Sequence, residues 1–366
     1  MLGTPGDTTA LPTVGYALWV AKTKGQSVGQ TLGGIIVGFD QQIFRTTPPV
    51  NELVAKGTPL RAVAASGGGT LTVGMPDDPV APASEPETLV LTAPRVEAIV
   101  DLVHGGRIAS FIVDGRQLLV TEGHSPIAWG SYPMAPYAGR VRDGAFDFAG
   151  RTWRLPVTDP PHAIHGTVLG RRWIVLGDDA IATELGPDWP FRGTVVQRFE
   201  LGANHLTCRL ELHAEEPMPA SMGWHPWFVR RPLAVTTGQV AAGSSEVMAA
   251  GRGEPGPLEF DLDADAMYLR DDEGIATAQR VPPPPGPWDD CFTGLRRPPV
   301  LRWSGFLELT IESDCPDLVV YTMPDHAMCI EPQTAPPNAL NRDPRIVVPG
   351  EPLGAAMTWR WRSLAD

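Results

Sequence analysis

The stretch VVQRFELGANHLTCRLELH (Val195–His213) predicts two β-strands joined by a Gly-Ala-Asn turn. Its second half has apolar residues at every second position, namely Leu206, Cys208, Leu210 and Leu212. Residues two apart in a strand share one face, so these four side chains would line a single apolar face. One buried and one polar face is typical of an antiparallel sheet, which the stretch therefore predicts.

The same two-residue alternation of apolar side chains recurs in segments before and after this stretch. FIVDGRQLLV (Phe111–Val120) places Asp-Gly between two apolar runs, and GAFDFAGRTWRL (Gly144–Leu155) places Ala-Gly in the same way. Such pairs favour hairpins, because both turn positions need positive φ. Alternation also returns further on, at Leu307, Leu309 and Ile311 and at Met357, Trp359 and Trp361. No segment of helical length shows a sustained 3.6-residue period, so the sequence predicts an all-β fold, a large antiparallel β-sandwich.

Composition limits the classes of function. The chain has 366 residues and 43% hydrophobic residues, enough for a large core, and a formal net charge of −13. An acidic chain with scattered Lys and Arg is poorly suited to binding the phosphate backbone of a nucleic acid, so we expect no nucleic-acid partner. The N-terminus shows neither a basic segment followed by an apolar run nor a membrane-spanning stretch, so we expect no secretory signal and no membrane partner.

The cysteines favour a reducing compartment. Four of them lie far apart in the sequence without a Cys-x-x-Cys pair: Cys208, Cys291, Cys315 and Cys329. This spacing excludes a zinc ribbon and argues against a disulfide framework. We expect a cytoplasmic protein.

A proline-rich segment divides the chain. Residues 74–88 read GMPDDPVAPASEPET, with four prolines among small and acidic residues, which is typical of an extended linker. We therefore predict a poorly defined N-terminal extension or linker of unknown role at 1–87 and a β-sandwich domain at 88–366. The glycine cluster Gly67–Gly69 lacks the Lys-Ser/Thr that ends a phosphate-binding loop, and we interpret it as a flexible loop.

Five clusters depart from simple alternation and combine polar residues with aromatic residues, glycines or prolines. They are PYAGRVRDG (Pro136–Gly144), HAIHG (His162–Gly166), GWHPWF (Gly223–Phe228), WDDCF (Trp288–Phe292) and CIEPQTAPPNAL (Cys329–Leu340).

Two of these clusters carry a candidate acid–base pair. His225 lies among aromatic residues and is either a core histidine or functional, while Glu331 lies among apolar residues and is either structurally paired or functional. About one sugar ring apart, the two could act as acid and base on opposite sides of one small molecule. Their proximity would favour the charged form of each.

The remaining clusters offer hydroxyl-binding groups. Arg140 is either a solvated surface arginine or part of a site. His162 and His165 resemble a metal-binding pair, but no nearby His or Cys completes a ligand set, so hydrogen bonding to a hydroxyl is the better functional interpretation. Asp289 and Asp290 either cap a turn or accept hydrogen bonds from adjacent sugar hydroxyls.

Taken in order, the clusters resemble the aldose 1-epimerase (galactose mutarotase) family across 88–366. The resemblance implies a β-sandwich of the supersandwich type, galactose mutarotase-like, acting on a monosaccharide as a monomer or homodimer without cofactor or metal. It implies Glu331 as the base on the C1 hydroxyl and His225 as the acid on the ring oxygen. The substrate-binding residues implied are Arg140, His165, Asp289 and Trp227, the last as an apolar platform with a donor at its edge.

Two departures from the family pattern leave the substrate open. Gly139 stands where the family has Asn, and AIHG continues as TVLGRRW, which places Arg171 and Arg172 close behind the implied site. The two arginines either face solvent or meet a phosphorylated or acidic sugar. We therefore expect an isomerase that interconverts the anomers of a free hexose such as galactose or glucose. The alternatives are an epimerase for a phosphorylated hexose and a non-catalytic sugar-binding or regulatory protein. A hydrolase is disfavoured, since those enzymes commonly use two carboxylates.

Overall fold

The computed structural model describes residues 86–235 and 254–364, together with the backbone of 30–32 and 35–37. The chain divides into two compact units, Met1–Glu85 and Pro86–Asp366. In the first, β1 (Gln30–Leu32) and β2 (Ile35–Val37) form an antiparallel pair. The predicted loop at Gly67–Gly69 and most of the predicted linker lie outside the described residues.

The second unit is built from antiparallel strands. In chain order they are β3 (Thr88–Ala93), β4 (Val96–Asp101), β5 (Arg107–Val113), β6 (Arg116–Leu119), β7 (Ser131–Met134), β8 (Arg140–Val141), β9 (Ala145–Phe148), β10 (Arg151–Arg154), β11 (Ala163–Ile164), β12 (Ile174–Gly177), β13 (Ala180–Glu184), β14 (Gly193–Leu201), β15 (His205–Ala214), β16 (Met218–Ala220), β17 (Gly223–Ala234), β18 (Leu258–Asp261), β19 (Ala264–Arg270), β20 (Ala276–Val281), β21 (Asp289–Leu295), β22 (Val300–Trp303), β23 (Leu307–Ser313), β24 (Asp317–Tyr321), β25 (Ala327–Gln333), β26 (Arg345–Val347) and β27 (Leu353–Ser363). Short 3₁₀ helices occur at Arg142–Gly144, Val168–Gly170 and Ala339–Asn341.

Two large sheets dominate this unit. One has eight strands in the order β12-β13-β14-β15-β27-β23-β22-β18. The other has eleven: ten follow the order β20-β19-β21-β24-β25-β17-β6-β5-β4-β3, and β7 pairs with both β17 and β5. Two-stranded sheets form between β9 and β10, between β8 and β11, and between β16 and β26.

The predicted hairpins are confirmed. β14 and β15 pair from Gly193 opposite Ala214 to Leu201 opposite Leu206. Asp114 and Gly115 turn with φ of 50° and 75°, the left-handed conformations that a two-residue hairpin needs.

The core lies between the two large sheets, as the alternation predicts. From the eight-stranded sheet, the predicted face of β15 and the alternating residues of β27 are buried. From the eleven-stranded sheet, Phe111 packs edge-on against Trp359 and Trp361, with ring centroids 5.1 and 5.4 Å apart. Aromatic side chains interdigitating between two sheets define a β-sandwich, so the predicted fold class is confirmed.

The eleven-stranded sheet is buried on both faces at its centre. All seven residues of β25 are buried. Met328 and Ile330 pack into the core between the sheets, whereas the alternate residues Cys329, Glu331 and Gln333 point to the opposite face. Period-two patterning fails here because that second face carries the cavity described below.

Among the described residues, no helix is long and apolar enough to cross a membrane.

Candidate active site

A cavity of about 250 Å³ lies on this second face of the eleven-stranded sheet. All six residues proposed for the site line it: Arg140, His165, His225, Trp227, Asp289 and Glu331. They come from segments up to 191 residues apart, and the sheet order β21-β24-β25-β17 brings three of those segments together.

His225 and Glu331 are in direct contact. His225 Nε2 lies 3.2 Å from Glu331 Oε1. The two residues occupy neighbouring strands, in a register that runs from Gly223 opposite Gln333 to Trp227 opposite Cys329 and so sets them opposite each other. The expected separation of one sugar ring is therefore wrong, because neighbouring strands lie only about 4.8 Å apart. A substrate would meet both groups on one wall of the cavity.

Burial controls the protonation of this pair. Burial lowers the pKa of His225 to about 3, and the Arg107 charge acts in the same direction. Burial raises the pKa of Glu331 well above its usual range; nearby Asp289 reinforces this, while Arg140 and a hydrogen bond from Gln333 oppose it. The sequence-based expectation that each group favours the charged form of the other is thus wrong, because burial has the largest influence on the pKa of both groups and favours the uncharged forms. Both shifts favour the uncharged form of the pair, a neutral imidazole beside a protonated carboxyl, which has the same total charge as an ion pair.

Aromatic rings hold the plane of the His225 imidazole. Tyr132, which lies opposite His225 in the β7–β17 register, stacks on it at 4.8 Å, and Trp227 stacks at 5.4 Å. His165 meets the imidazole edge-on at 4.8 Å. The ring can therefore rotate little, which keeps Nε2 aimed at Glu331.

Trp227 contributes an edge to the cavity rather than a face. Its indole N–H donates to the Ile127 carbonyl at 2.8 Å, and its ring lies between the His225 and His326 rings. The resemblance implied an apolar platform and a free donor. The structure corrects both points, because the faces and the N–H already have partners within the protein.

Arg107 supports this stack and was not identified from the sequence. Its side chain is fully buried, and it donates to the carbonyls of His104 (2.7 Å), Pro126 (2.8 Å) and Trp129 (2.9 Å). It thereby anchors the segment that carries Ile127, whose carbonyl accepts hydrogen bonds from both Tyr132 and Trp227. A charged residue at the start of the otherwise apolar strand RIASFIV is the signal that could have identified it.

His165 lies on a tight turn. Its φ is 61°, and the following Gly166 has φ 80°, where an added Cβ would lie 2.1 Å from the Ala135 carbonyl oxygen. Only glycine fits there, which explains the His-Gly pair in the motif. His162 does not line the cavity, and its Nδ1 instead accepts the Asp143 backbone N–H at 3.2 Å. The two histidines thus have separate roles.

Ion pairs form the polar part of the cavity wall. Arg140 Nε donates to Asp159 at 3.1 Å. Arg270 spans two carboxylates, with Nη1 3.1 Å from Asp289 and Nε 2.9 Å from Asp290. Arg140 lies in β8, and Asp289 begins β21 rather than capping a turn. Burial raises the pKa of Asp289, against the opposing charges of Arg140 and Arg270.

Further lining residues were missed from the sequence, among them Asp159, Arg270, Tyr321 and Gln333. Gln333 belongs to a quoted motif, and its amide donates to Glu331 at 3.3 Å. Arg270, in YLRDDEG, has no local signal, since only the pairing of β19 with β21 brings it to Asp289.

The two departures in sequence have structural explanations. Gly139 has φ 67°, and an added Cβ would lie 2.8 Å from Pro337, so the space of a side chain is already filled. Arg171 and Arg172 do not line the cavity. Arg172 donates to the Pro86 carbonyl at 2.9 Å, and the Arg171 guanidinium packs against Gly186.

Within the part of the chain that the structure describes, one group of side chains has the donors for a metal ion. Nitrogen, sulfur and oxygen atoms of His225, Cys329 and Glu331 lie within 4.8 Å of one another.

Solved structures share this fold. A putative aldose 1-epimerase from Escherichia coli K12 matches with a TM-score of 0.60 at 21% identity, over 76% of this chain and 99% of that one. A galactose mutarotase-like protein from Clostridium acetobutylicum matches with a TM-score of 0.60 at 16% identity, over 75% and 94%. Galactose 1-epimerase from Lactobacillus acidophilus NCFM matches with a TM-score of 0.56 at 15% identity, over 84% and 98%. These likenesses show the fold alone.

Sequence comparison establishes the family. Among curated proteins, none matches the chain. The family model for aldose 1-epimerase matches residues 87–360, which is most of the chain and contains all six cavity residues named above. The chain therefore belongs to the aldose 1-epimerase family.

Proposed function

We propose that this protein is an aldose 1-epimerase, a mutarotase that interconverts the α and β anomers of a free hexose such as galactose or glucose. The observation that carries the proposal is the buried contact of 3.2 Å between His225 Nε2 and Glu331 Oε1 on the wall of a 250 Å³ cavity. An acid and a base held together at such a wall can open and close a hemiacetal.

In the uncharged form that burial favours, the pair of His225 and Glu331 needs one internal proton shift before it can act on a sugar. Moving the proton from Glu331 to His225 produces a carboxylate and an imidazolium without changing the total charge. Arg140 favours this shift, because its charge acts to lower the pKa of Glu331. Substrate hydroxyls would stabilise the charged form further by hydrogen bonding to the carboxylate.

Ring opening then uses both charged groups. Glu331 takes the proton of the C1 hydroxyl while His225 protonates the ring oxygen, so the bond between C1 and the ring oxygen breaks and a free aldehyde forms. The pair is left as a protonated carboxyl and a neutral imidazole, which is the uncharged form that burial favours. Rotation about C1–C2 presents the other face of the aldehyde, and the two proton transfers run in reverse to close the ring. Each positioned proton transfer typically contributes about 10²–10⁴-fold.

The charges of the cavity favour an uncharged sugar. Two guanidinium groups, Arg140 and Arg270, are each paired with aspartate, through Asp159 and through Asp289 and Asp290. The lining thus holds three aspartates, Asp159, Asp289 and Asp290, against two arginines. The aspartates would repel a phosphate, and each of the two guanidinium groups in the lining already has a carboxylate partner. Both features oppose the binding of a phosphate. We therefore prefer a free hexose over a hexose phosphate.

The proposal predicts faster anomer interconversion with neutral aldoses. Proton NMR of freshly dissolved α-D-glucose and α-D-galactose should show the approach to anomeric equilibrium accelerated in proportion to protein concentration, with much weaker acceleration for the 6-phosphates. Buffer alone is the control. If no sugar equilibrates faster than in buffer but a sugar binds by calorimetry, the chain is a sugar-binding protein instead. A preference for 6-phosphates would contradict the assigned substrate class.

Arg270 is expected to position Asp289 for substrate hydroxyls. Arg270→Lys keeps the charge but cannot span both aspartates as the planar guanidinium does. Losing one such hydrogen bond is worth about 1 kcal/mol, so we expect KM to rise about fivefold with a smaller change in kcat. Arg296→Lys is the matched control, because Arg296 spans Asp263 and Asp265 in the same way outside the cavity. Equal effects of the two substitutions would contradict the role of Arg270.

A further inference from the structure

Cys329 lies directly beside the acid–base pair. It precedes Glu331 by two residues in β25, so both side chains point to the same face of the sheet. Across the strand pair, Cys329 is opposite Trp227, which is two residues from His225. Cys329 is fully buried on that face and does not itself line the cavity.

The three side chains present a ligand set for a thiophilic divalent cation. Imidazole nitrogen, thiolate sulfur and carboxylate oxygen are the ligands that Zn²⁺ prefers, and here the three donor atoms lie within 4.8 Å of one another. Bond lengths of about 2.0–2.3 Å in a tetrahedral zinc site place donors about 3.3–3.7 Å apart. His225 and Glu331, at 3.2 Å, already have this spacing. Movements of the Cys329 side chain of about 1–1.5 Å would complete it from separations of up to 4.8 Å, and the open cavity would supply a water as fourth ligand.

We propose that His225 Nε2, Cys329 Sγ and the Glu331 carboxylate form an inhibitory binding site for Zn²⁺ or a similar thiophilic divalent cation. Binding releases two protons to solvent, one from the thiol and one from the pair. The two charges of the cation are then balanced by a thiolate and a carboxylate, so no net charge is added to the buried site.

A bound cation would inhibit anomer interconversion because it occupies electron pairs that the two proton transfers need. The Nε2 lone pair would bind the metal and could not carry a proton to the ring oxygen, and the carboxylate would be too weak a base to take the C1 proton. This consequence rests on the proposed function, whereas binding itself does not.

Spectroscopy tests binding independently of activity. Co²⁺ is titrated into untagged, metal-free protein while the absorption of thiolate-to-cobalt charge transfer is followed, and Zn²⁺ is then added as a competitor. We expect a saturable band at one cobalt per chain that Zn²⁺ abolishes. Cys329→Ser should lack the band, and Cys329→Ala provides a second variant if the serine protein does not fold. Cys291→Ser is the matched control, because Cys291 is a buried cysteine on the same cavity but outside the donor group.

Activity provides the second measurement. Zn²⁺ should slow anomer interconversion by the native protein and by Cys291→Ser, with recovery on adding EDTA. Cys329→Ser should need at least about tenfold more Zn²⁺ for the same inhibition, equivalent to about 1.4 kcal/mol of lost binding. Absence of a thiolate band in the native protein, or an unchanged band in both Cys329 variants, overturns the metal site. Absence of epimerase activity in metal-free protein overturns the proposed function instead, and the cobalt titration still decides the site.

Discussion

Glu331→Gln is expected to lower kcat for anomer interconversion by about 10²–10⁴-fold, the usual contribution of a positioned proton transfer. The amide keeps the size of the side chain and its hydrogen-bonding capacity, but it cannot remove the C1 proton. KM should change far less than kcat, because the other polar groups of the cavity still hold the hydroxyls. Both constants would be obtained by following anomer ratios by NMR at several sugar concentrations.

Stability should not explain this loss. The amide has the size and shape of the carboxyl and adds no charge to a site where burial already favours the uncharged acid, so the thermal unfolding midpoint should stay within a few degrees of the native value. Glu97→Gln is the matched control: Glu97 is a buried glutamate in β4 of the same sheet, outside the cavity lining, and its substitution should leave kcat unchanged. A native-like kcat for Glu331→Gln would remove Glu331 from the role of base.

His225→Asn is expected to lower kcat by a similar factor of about 10²–10⁴. Asparagine cannot carry a proton from Glu331 to the ring oxygen, so the ring would have to open without acid assistance. His326→Asn is the control, because His326 stacks on the other side of Trp227 and does not line the cavity.

The double variant tests whether the two residues act as a unit. The two side chains lie 3.2 Å apart and exchange the proton that the reaction uses, so removing one partner also weakens the contribution of the other. The double variant should therefore lose little more than the worse single variant, rather than the product of the two losses. Fully multiplicative losses, measured as kcat in a double-mutant cycle, would indicate two independent groups.

Sequence patterning predicted those parts of the fold in which one face of a strand is buried. In β15 the four alternating apolar residues become the core face, and Asp114-Gly115 forms the predicted turn. Both are local consequences of side-chain alternation and backbone sterics. Patterning fails at β25, where all residues are buried, because that strand lies between the core and the site.

The sequence by itself determined the β-sandwich class, the family resemblance and six of the side chains that line the cavity. Only the tertiary structure decided that His225 and Glu331 touch, that burial shifts the pKa of each towards its uncharged form, and that the Trp227 ring is already covered by its neighbours. It also revealed Arg107 beneath the aromatic stack and Arg270 on the aspartates, and it placed Arg171 and Arg172 outside the cavity lining. The physical reason is the range of each effect. Alternation and turn preference act between adjacent residues, whereas strand order and desolvation depend on segments that are far apart in the chain.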